Sequence, residues 1–470
     1  TNRGCPFSCT FCVWGISALN KLKQFTLDRI YQELDYVTHY GMNFPHIYFA
    51  DANFGILKRD VEIAEKIRQL YEETKSFSAV EMYWSKSAQP HMLDVGKALG
   101  HLSHTYVAFQ SLDPVVLEGM KRTNIGLDKL SFLIEGLKEY SHSAQTDILL
   151  GAPGETVESH LKSLDGVISY GIDHIRGGEV QLLPGSELES SDMRSEHGIK
   201  TKYRFFEGCA GIYRGELVYK LQEVIRATNS MTEDEMKYLR LLRSLFFGAV
   251  TIGEFIPAVY VLRHLGKSFT GVLTQVLALA PETTEFSAVL DWVREQIEIE
   301  FFENREDAAK YLNNSDARTE FIENGFFKLN FGVSANLMKN REAFEDYYRC
   351  MERALNIELE DAVSPEAVNE ILSICRQRNF LASALNGETS NNIRLDILAE
   401  TKSLLRESGY LKAGGNAIDT NVLLSLDQLT AERIEQSVSS MGDGGSLFDL
   451  SQIMQMYWGR TYLETVHPDQ

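Results

Sequence analysis

Three cysteines fall within the first twelve residues, in the string Cys5-Pro6-Phe7-Ser8-Cys9-Thr10-Phe11-Cys12. This C-x3-C-x2-C spacing puts three thiolates on one tight loop, enough to hold three irons of a four-iron, four-sulfur cube. The fourth iron then finds no nearby cysteine and stays open to an external ligand. An electron-transfer cluster, by contrast, is usually closed by protein at all four corners. Two plainer readings stand beside this one. A zinc site favours paired C-x2-C elements, and no second pair follows downstream. A closed cluster needs a fourth thiolate, which Cys209 could supply, since sequence distance says nothing about space. Cys350 and Cys375 are scattered, with no spacing of a disulfide framework. Such usage fits a reducing cytosol and metal or catalytic thiols.

A loop of this kind needs rigid support, and the next stretch of chain has the pattern to give it. Thr26 is a good N-cap, and Leu27, Ile30, Leu34 and Val37 mark one helical face that ends at Gly41. A short apolar run, 46–50, stops at Asp51; the following helix carries Ile63, Ile67, Leu70 and Tyr71 on one side. Strand-like runs recur at 79–84, 105–109, 146–150 and 172–182, and helix-like segments at 113–120, 129–140 and 156–170. Short apolar strands alternating with amphipathic helices predict βαβ units around a parallel sheet. Beyond Glu187 the character changes. Helical periodicity dominates at 216–228, 233–247, 286–302 and 342–355, with glycine breaks at Gly414–Gly415 and Gly442–Gly445. The expected division is therefore a core at 1–195 and a mainly helical region at 196–470, placed to cover the open side of the core. The cysteine motif stands at the very start of the chain with no strand before it, so an upstream segment is expected.

The totals narrow the function. At 470 residues the chain has room for two or three domains. A formal net charge of -20 repels phosphate backbones and anionic lipid, which argues against nucleic acid as the main ligand. The most hydrophobic stretch, 246–262, is interrupted by Glu254 and Pro257 and is short for a membrane span, so it reads as buried helices.

The wider string Thr1-Asn2-Arg3-Gly4-Cys5-Pro6-Phe7-Ser8-Cys9-Thr10-Phe11-Cys12-Val13-Trp14-Gly15 resembles the defining motif of the radical S-adenosylmethionine (SAM) superfamily. It looks in particular like the subgroup with an N-terminal cobalamin-binding domain. Phe49-Ala50-Asp51-Ala52-Asn53-Phe54-Gly55, Phe109-Gln110-Ser111-Leu112-Asp113-Pro114, Leu149-Leu150-Gly151-Ala152-Pro153-Gly154-Glu155 and Leu182-Leu183-Pro184-Gly185-Ser186 follow in the family's order. The resemblance covers about residues 1 to 190. It implies a partial (β/α)6 TIM-like barrel followed here by the helical region. It also implies a 4Fe-4S cluster on Cys5, Cys9 and Cys12, with SAM chelating the open iron, and Phe11 packing near adenine. Asp51 and Asn53 stand where the family's Gly-Gly-Glu element receives the SAM amino group, an element from which this sequence departs. Lys86 suits the SAM carboxylate, Gln110 and Ser111 the ribose hydroxyls, and Gly151, Gly154 and Glu155 the close approach of the adenosyl group.

Asp51, Lys86, Gln110 and Glu155 all fall at strand C-terminal ends, where barrels of this kind bind ligands. Each is also a residue type that forms turns or caps helices. Asp113, before Pro114, reads as a helix N-cap. His91, His101 and His104 show no metal-ligand spacing and read as surface or satisfied polar residues.

What the resemblance implies chemically is cleavage of SAM to a 5′-deoxyadenosyl radical that takes a hydrogen from an unactivated carbon. With cobalamin, the reaction would be methylation of a small-molecule or natural product; rearrangement, epimerisation or ring closure belong to the same superfamily. A cytoplasmic location, a reducing partner such as a flavodoxin or ferredoxin, and no nucleic-acid or membrane partner complete the expectation. The rival classes are a non-catalytic iron–sulfur or zinc protein and a nucleic-acid-modifying radical enzyme.

Overall fold

The computed structural model describes residues 1–14, 20–40, 46–86, 90–103, 105–124, 126, 136, 144–172, 174–314, 329–387, 390, 392–411, 421–426, 428–441, 446–456 and 464–466. The chain divides into two compact units, Thr1–Lys202 with Glu223–Met236, and Tyr203–Gln222 with Lys237–Gln470.

The first unit is built from parallel βα steps. Contrary to expectation, a strand does precede the cysteine motif: β1 (Asn2–Arg3) leads into the loop and pairs antiparallel with β2 (Lys23–Gln24). Helix α1 (Leu27–Tyr40) starts where the Thr26 hydroxyl accepts the Arg29 amide at 3.4 Å, and it buries Ile30, Leu34 and Thr38. β3 (His46–Tyr48) then leads to α2 (Asp60–Thr74), whose Ile63, Ala64, Ile67 and Leu70 are buried. β4 (Ala79–Glu81) pairs with β3 in parallel, and a further parallel bridge joins Phe54 to Trp84. α3 (Met92–Leu99) packs on α2.

A second parallel set runs β5 (Thr105–Tyr106), β6 (Ala144–Asp147) and β7 (His174–Arg176). Parallel bridges Gln110 to Ile148 and Leu150 to Glu179 extend it. Between these strands lie α4 (Pro114–Gly119) and α5 (Val157–Ser169). The two helices start as their sequences dictate. Asp113 accepts the Val115 and Val116 amides at 2.9 and 3.1 Å, which bears out its reading as an N-cap. Thr156 and Ser159 form a capping box for α5. These parallel strands with their helices form the partial TIM-like barrel, and the region after it is mainly helical. The helical segment expected at 129–140 lies outside the described residues, Gly136 excepted, and His104 lies outside them too.

One expectation fails. Residues 216–228 read as helix, yet β9 (Glu216–Ala227) is a strand paired with β8 (Lys200–Tyr213). The reason is the turn. Arg214 and Gly215 both hold positive φ, 54° and 84°, the backbone of a two-residue hairpin loop whose twist matches its strands. Fourteen- and twelve-residue partners then satisfy each other's backbone, which overrides a helix-like spacing of apolar residues.

The second unit is helical around Phe255, Phe286, Tyr347 and Leu290, all buried, and carries one three-stranded antiparallel sheet, β10 (Asn392–Asp396), β11 (Asn421–Ser425) and β12 (Glu464–Val466). The apolar stretch at 246–262 is buried helix, as read. A π-helical turn (Phe247–Ile252) precedes a helix (Ile256–His264) that Pro257 starts. Among the described residues no single helix is long and apolar enough to cross a membrane.

Candidate metal centre

The cysteine loop is pinned at its middle. Thr10 is fully buried, its amide donates to Met120 O at 3.1 Å, and its carbonyl accepts from the Leu188 amide at 2.8 Å. The Thr10 hydroxyl reaches Gly119 O at 3.4 Å. The loop therefore hangs between the C-terminal end of α4 and the turn at Glu187–Glu189, with Cys9 and Cys12 on either side of the anchor. The Cys12 amide closes a turn onto Cys9 O at 3.1 Å. Phe11 packs into the apolar cluster of Val116, Met120, Ala152, Val180, Leu182, Leu188, Met193 and Ile225.

All six cysteines are free thiols. Cys5 and Cys9 are buried, and Cys12 is half-buried. Polar groups are aimed at the sulfurs. Asn53 Nδ2 donates to Cys5 Sγ at 3.1 Å, Lys86 Nζ to Cys9 Sγ at 3.6 Å, and Arg122 Nη1 to Cys9 Sγ at 3.9 Å. Burial pushes the Cys12 thiol above its usual range, against the Trp14 amide and the Lys86 charge, which favour the thiolate. Donors and cations of this kind stabilise thiolate, the form that binds metal. Among the described residues no three Cys, His, Asp or Glu side chains converge as ligands of one ion. A cube asks for something else, because each thiolate takes its own iron. At the other buried thiols burial outweighs the nearby arginines, raising Cys350 to about 11 and Cys375 to about 12, and Cys209 is exposed on β8.

The remaining expected residues sort into two groups. Asp51, 2% exposed, gives its carboxylate to the strand before the motif, accepting the Asn2 amide at 2.8 Å and the Thr1 hydroxyl at 2.6 Å. Ser111 turns inward, its hydroxyl accepting the Asp113 amide at 3.1 Å and lying 3.4 Å from Ser163 Oγ. Glu155 is fully buried and spends both oxygens at home. One accepts the Gly151 amide at 2.6 Å, and the other meets His160 Nδ1 at 2.7 Å. Gly151 holds φ 87°, and a Cβ there would come 2.6 Å from Met236 Cε. These groups shape the strand ends.

Asn53 and Lys86 keep polar atoms available. Asn53 is buried, and its Oδ1 has no hydrogen-bond partner. Lys86 is half-buried, with Nζ 5.4 Å from the Phe7 ring centroid. Gln110 takes positive φ, 69°, at the bridge to Ile148. His91 and His101 are satisfied polar residues, His91 Nε2 lying 3.0 Å from Gly55 O and His101 Nε2 3.3 Å from the Tyr71 hydroxyl.

Sequence reasoning missed Arg122. It is 6% exposed, and its Nε donates to Phe109 O at 3.0 Å and Asn124 Oδ1 at 2.9 Å, while Nη2 donates to Ala108 O. Burial lowers its pKa, and the negative charge of Cys9 opposes that shift. No local pattern marks it: in sequence it is half of a Lys-Arg pair after a helix.

Part of this chain is similar to known proteins. Residues 1–165 match the radical SAM superfamily. Among curated proteins, the chain is 29% identical over 239 residues to the cobalamin-dependent radical SAM methyltransferase TokK of Streptomyces tokunonensis, a match covering 50% of this chain and 34% of that protein. It is 28% identical over 240 residues to the 2-(S-pantetheinyl)-carbapenam-3-carboxylate methyltransferase of Streptantibioticus cattleyicolor, covering 50% and 35%. The matched stretch thus spans about a third of each relative. Among solved structures, the radical SAM methyltransferase TsrM of Kitasatospora setae aligns with a TM-score of 0.39 at 13% identity, over 53% of this chain and 50% of that one. Coproporphyrinogen III oxidase of Escherichia coli aligns with a TM-score of 0.32 at 17% identity, over 40% and 46%.

Proposed function

We propose, from the match of residues 1–165 to the radical SAM superfamily, that this chain cleaves SAM on a 4Fe-4S cluster held by Cys5, Cys9 and Cys12. The observation that carries the reading is the set of donors aimed at the loop, Asn53 at Cys5 with Lys86 and Arg122 at Cys9. When bound, the cluster supplies one electron to SAM, whose S–C5′ bond cleaves to methionine and a 5′-deoxyadenosyl radical.

The chain's own residues do the positioning. Asn53 Oδ1 is an open acceptor beside Cys5 and suits the SAM ammonium, whereas the Asp51 carboxylate is engaged by the strand before the motif. Lys86, with one contact on Cys9 and a half-exposed stem, suits the carboxylate. Gln110 at its strand end suits the ribose hydroxyls. Gly151, its amide fixed by Glu155, stands at the strand end where the adenosyl group would approach. Phe11 serves the adenine side from its seat in the apolar cluster.

The reaction we read is methylation of an unactivated carbon on a small-molecule substrate, with cobalamin carrying the methyl group; the relatives' names, a cobalamin-dependent radical SAM methyltransferase and a carbapenam-carboxylate methyltransferase, support the methyl transfer. A flavodoxin or ferredoxin would supply the electron in the cell.

The test is anaerobic reconstitution followed by iron and sulfide analysis and electron paramagnetic resonance of the reduced cluster, with and without SAM. A signal that changes on adding SAM is expected. A full cluster blind to SAM contradicts the open iron. Given cobalamin, the methylation reading adds a second product, S-adenosylhomocysteine.

A further inference from the structure

We propose that Arg122 sets the reduction potential of the cluster through Cys9. The inference rests on the cluster reading above and goes beyond it, since it concerns how readily the site accepts its electron.

Arg122 is a buried cation with a fixed address. Three backbone or side-chain oxygens, Phe109 O, Ala108 O and Asn124 Oδ1, take Nε and Nη2 and leave Nη1 on Cys9 Sγ at 3.9 Å. Among the described residues no carboxylate pairs with it, so the Cys9 sulfur, a thiolate when it holds iron, is the group its charge answers. Two carbonyl groups need donors, but a neutral amide would serve them at lower desolvation cost than a guanidinium. Arginine adds a charge that does not titrate away.

That charge has a calculable direction. Reducing the cluster adds a negative charge, and a fixed cation in a site of low dielectric stabilises the reduced form more than the oxidised one. Hydrogen bonds to cluster sulfurs and local net charge are among the terms that set such potentials. Lys86 also touches Cys9, but it is half-exposed on a flexible stem and is the better placed of the two to turn toward a ligand. Arg122 cannot swing away without freeing two carbonyls. It is a positioning residue for the electron.

The experiment is a potentiometric titration of the reconstituted full chain, read by the resonance signal of the reduced cluster, with iron per chain measured alongside. Arg122→Gln is expected to hold full iron and to shift the one-electron equilibrium toward the oxidised cluster by about tenfold or more, about 59 mV more negative. Arg122→Lys, which keeps the charge, should recover most of that shift. Asn124→Asp places a carboxylate against Arg122 Nε and neutralises the cation without removing it. It should move the potential the same way and by less, and it carries the test if Arg122→Gln loses iron. An unchanged midpoint in either neutralised variant with full iron overturns the proposal. A wild-type chain that takes up no cluster overturns the cluster reading itself, which the iron assay distinguishes.

Discussion

Each of the two units buries an ionisable side chain, and the two resolve it in opposite ways. In the first, Arg122 is 6% exposed and keeps its charge, because a thiol and two carbonyls surround it. In the second, Glu254 is 2% exposed, and its Oε1 has no hydrogen-bond partner. Burial raises Glu254 to about 8, against the opposing Tyr348 hydroxyl and Arg376 charge, so at neutral pH the carboxyl is mostly protonated. Arginine cannot take that route, since it does not lose its proton at any working pH. A buried charge persists only where partners answer it, and around Arg122 the Cys9 sulfur and two backbone carbonyls do so.

The largest effect that separates the two regions is iron binding. Changing Cys5, Cys9 or Cys12 to Ala should each abolish cluster retention, while Cys350→Ala and Cys375→Ala should leave iron per chain at the wild-type level. Loss of iron from either of the latter would break the assignment of chemistry to the first unit.

Next in size is the pH dependence of the second unit. The native state of Glu254 holds a proton that the unfolded chain has lost, its pKa rising from 4.5 to about 8. Stability from this group is therefore full below pH 4.5 and falls as pH rises through about 8, with a limiting slope of about 1.4 kcal/mol per pH unit. Glu254→Gln should flatten that fall in denaturant titrations across the window. An unchanged slope would mean that the buried carboxyl is answered after all.

The smallest effect is a cap. Asp113→Ala removes the acceptor of the Val115 and Val116 amides and should cost about 1 kcal/mol in denaturant unfolding. Because α4 ends at the carbonyls that receive Thr10, the same variant should loosen the cysteine loop slightly, read as faster loss of iron to a chelator.

What the sequence made legible follows local rules. The cysteine spacing, the Thr26 and Asp113 caps and the alternation of short apolar strands with amphipathic helices all appear as read, because neighbouring residues decide them. Where partners distant in sequence decide, the reading stopped. Strand β9 looked helical because Arg214-Gly215 was not recognised as a hairpin turn. Asp51 and Glu155 were placed correctly at strand ends, but their carboxylates answer backbone amides that only the fold brings near. Arg122 lies 113 positions from Cys9, and no local pattern links the two. Glu254 was visible only as an interruption in an apolar run.

The central claim is that the open cluster on Cys5, Cys9 and Cys12 cleaves SAM. Its most direct test is the appearance of 5′-deoxyadenosine when the anaerobically reconstituted chain meets dithionite and SAM. The account predicts that the product forms and disappears in Cys9→Ala. A full cluster with dithionite and SAM but no 5′-deoxyadenosine would contradict it.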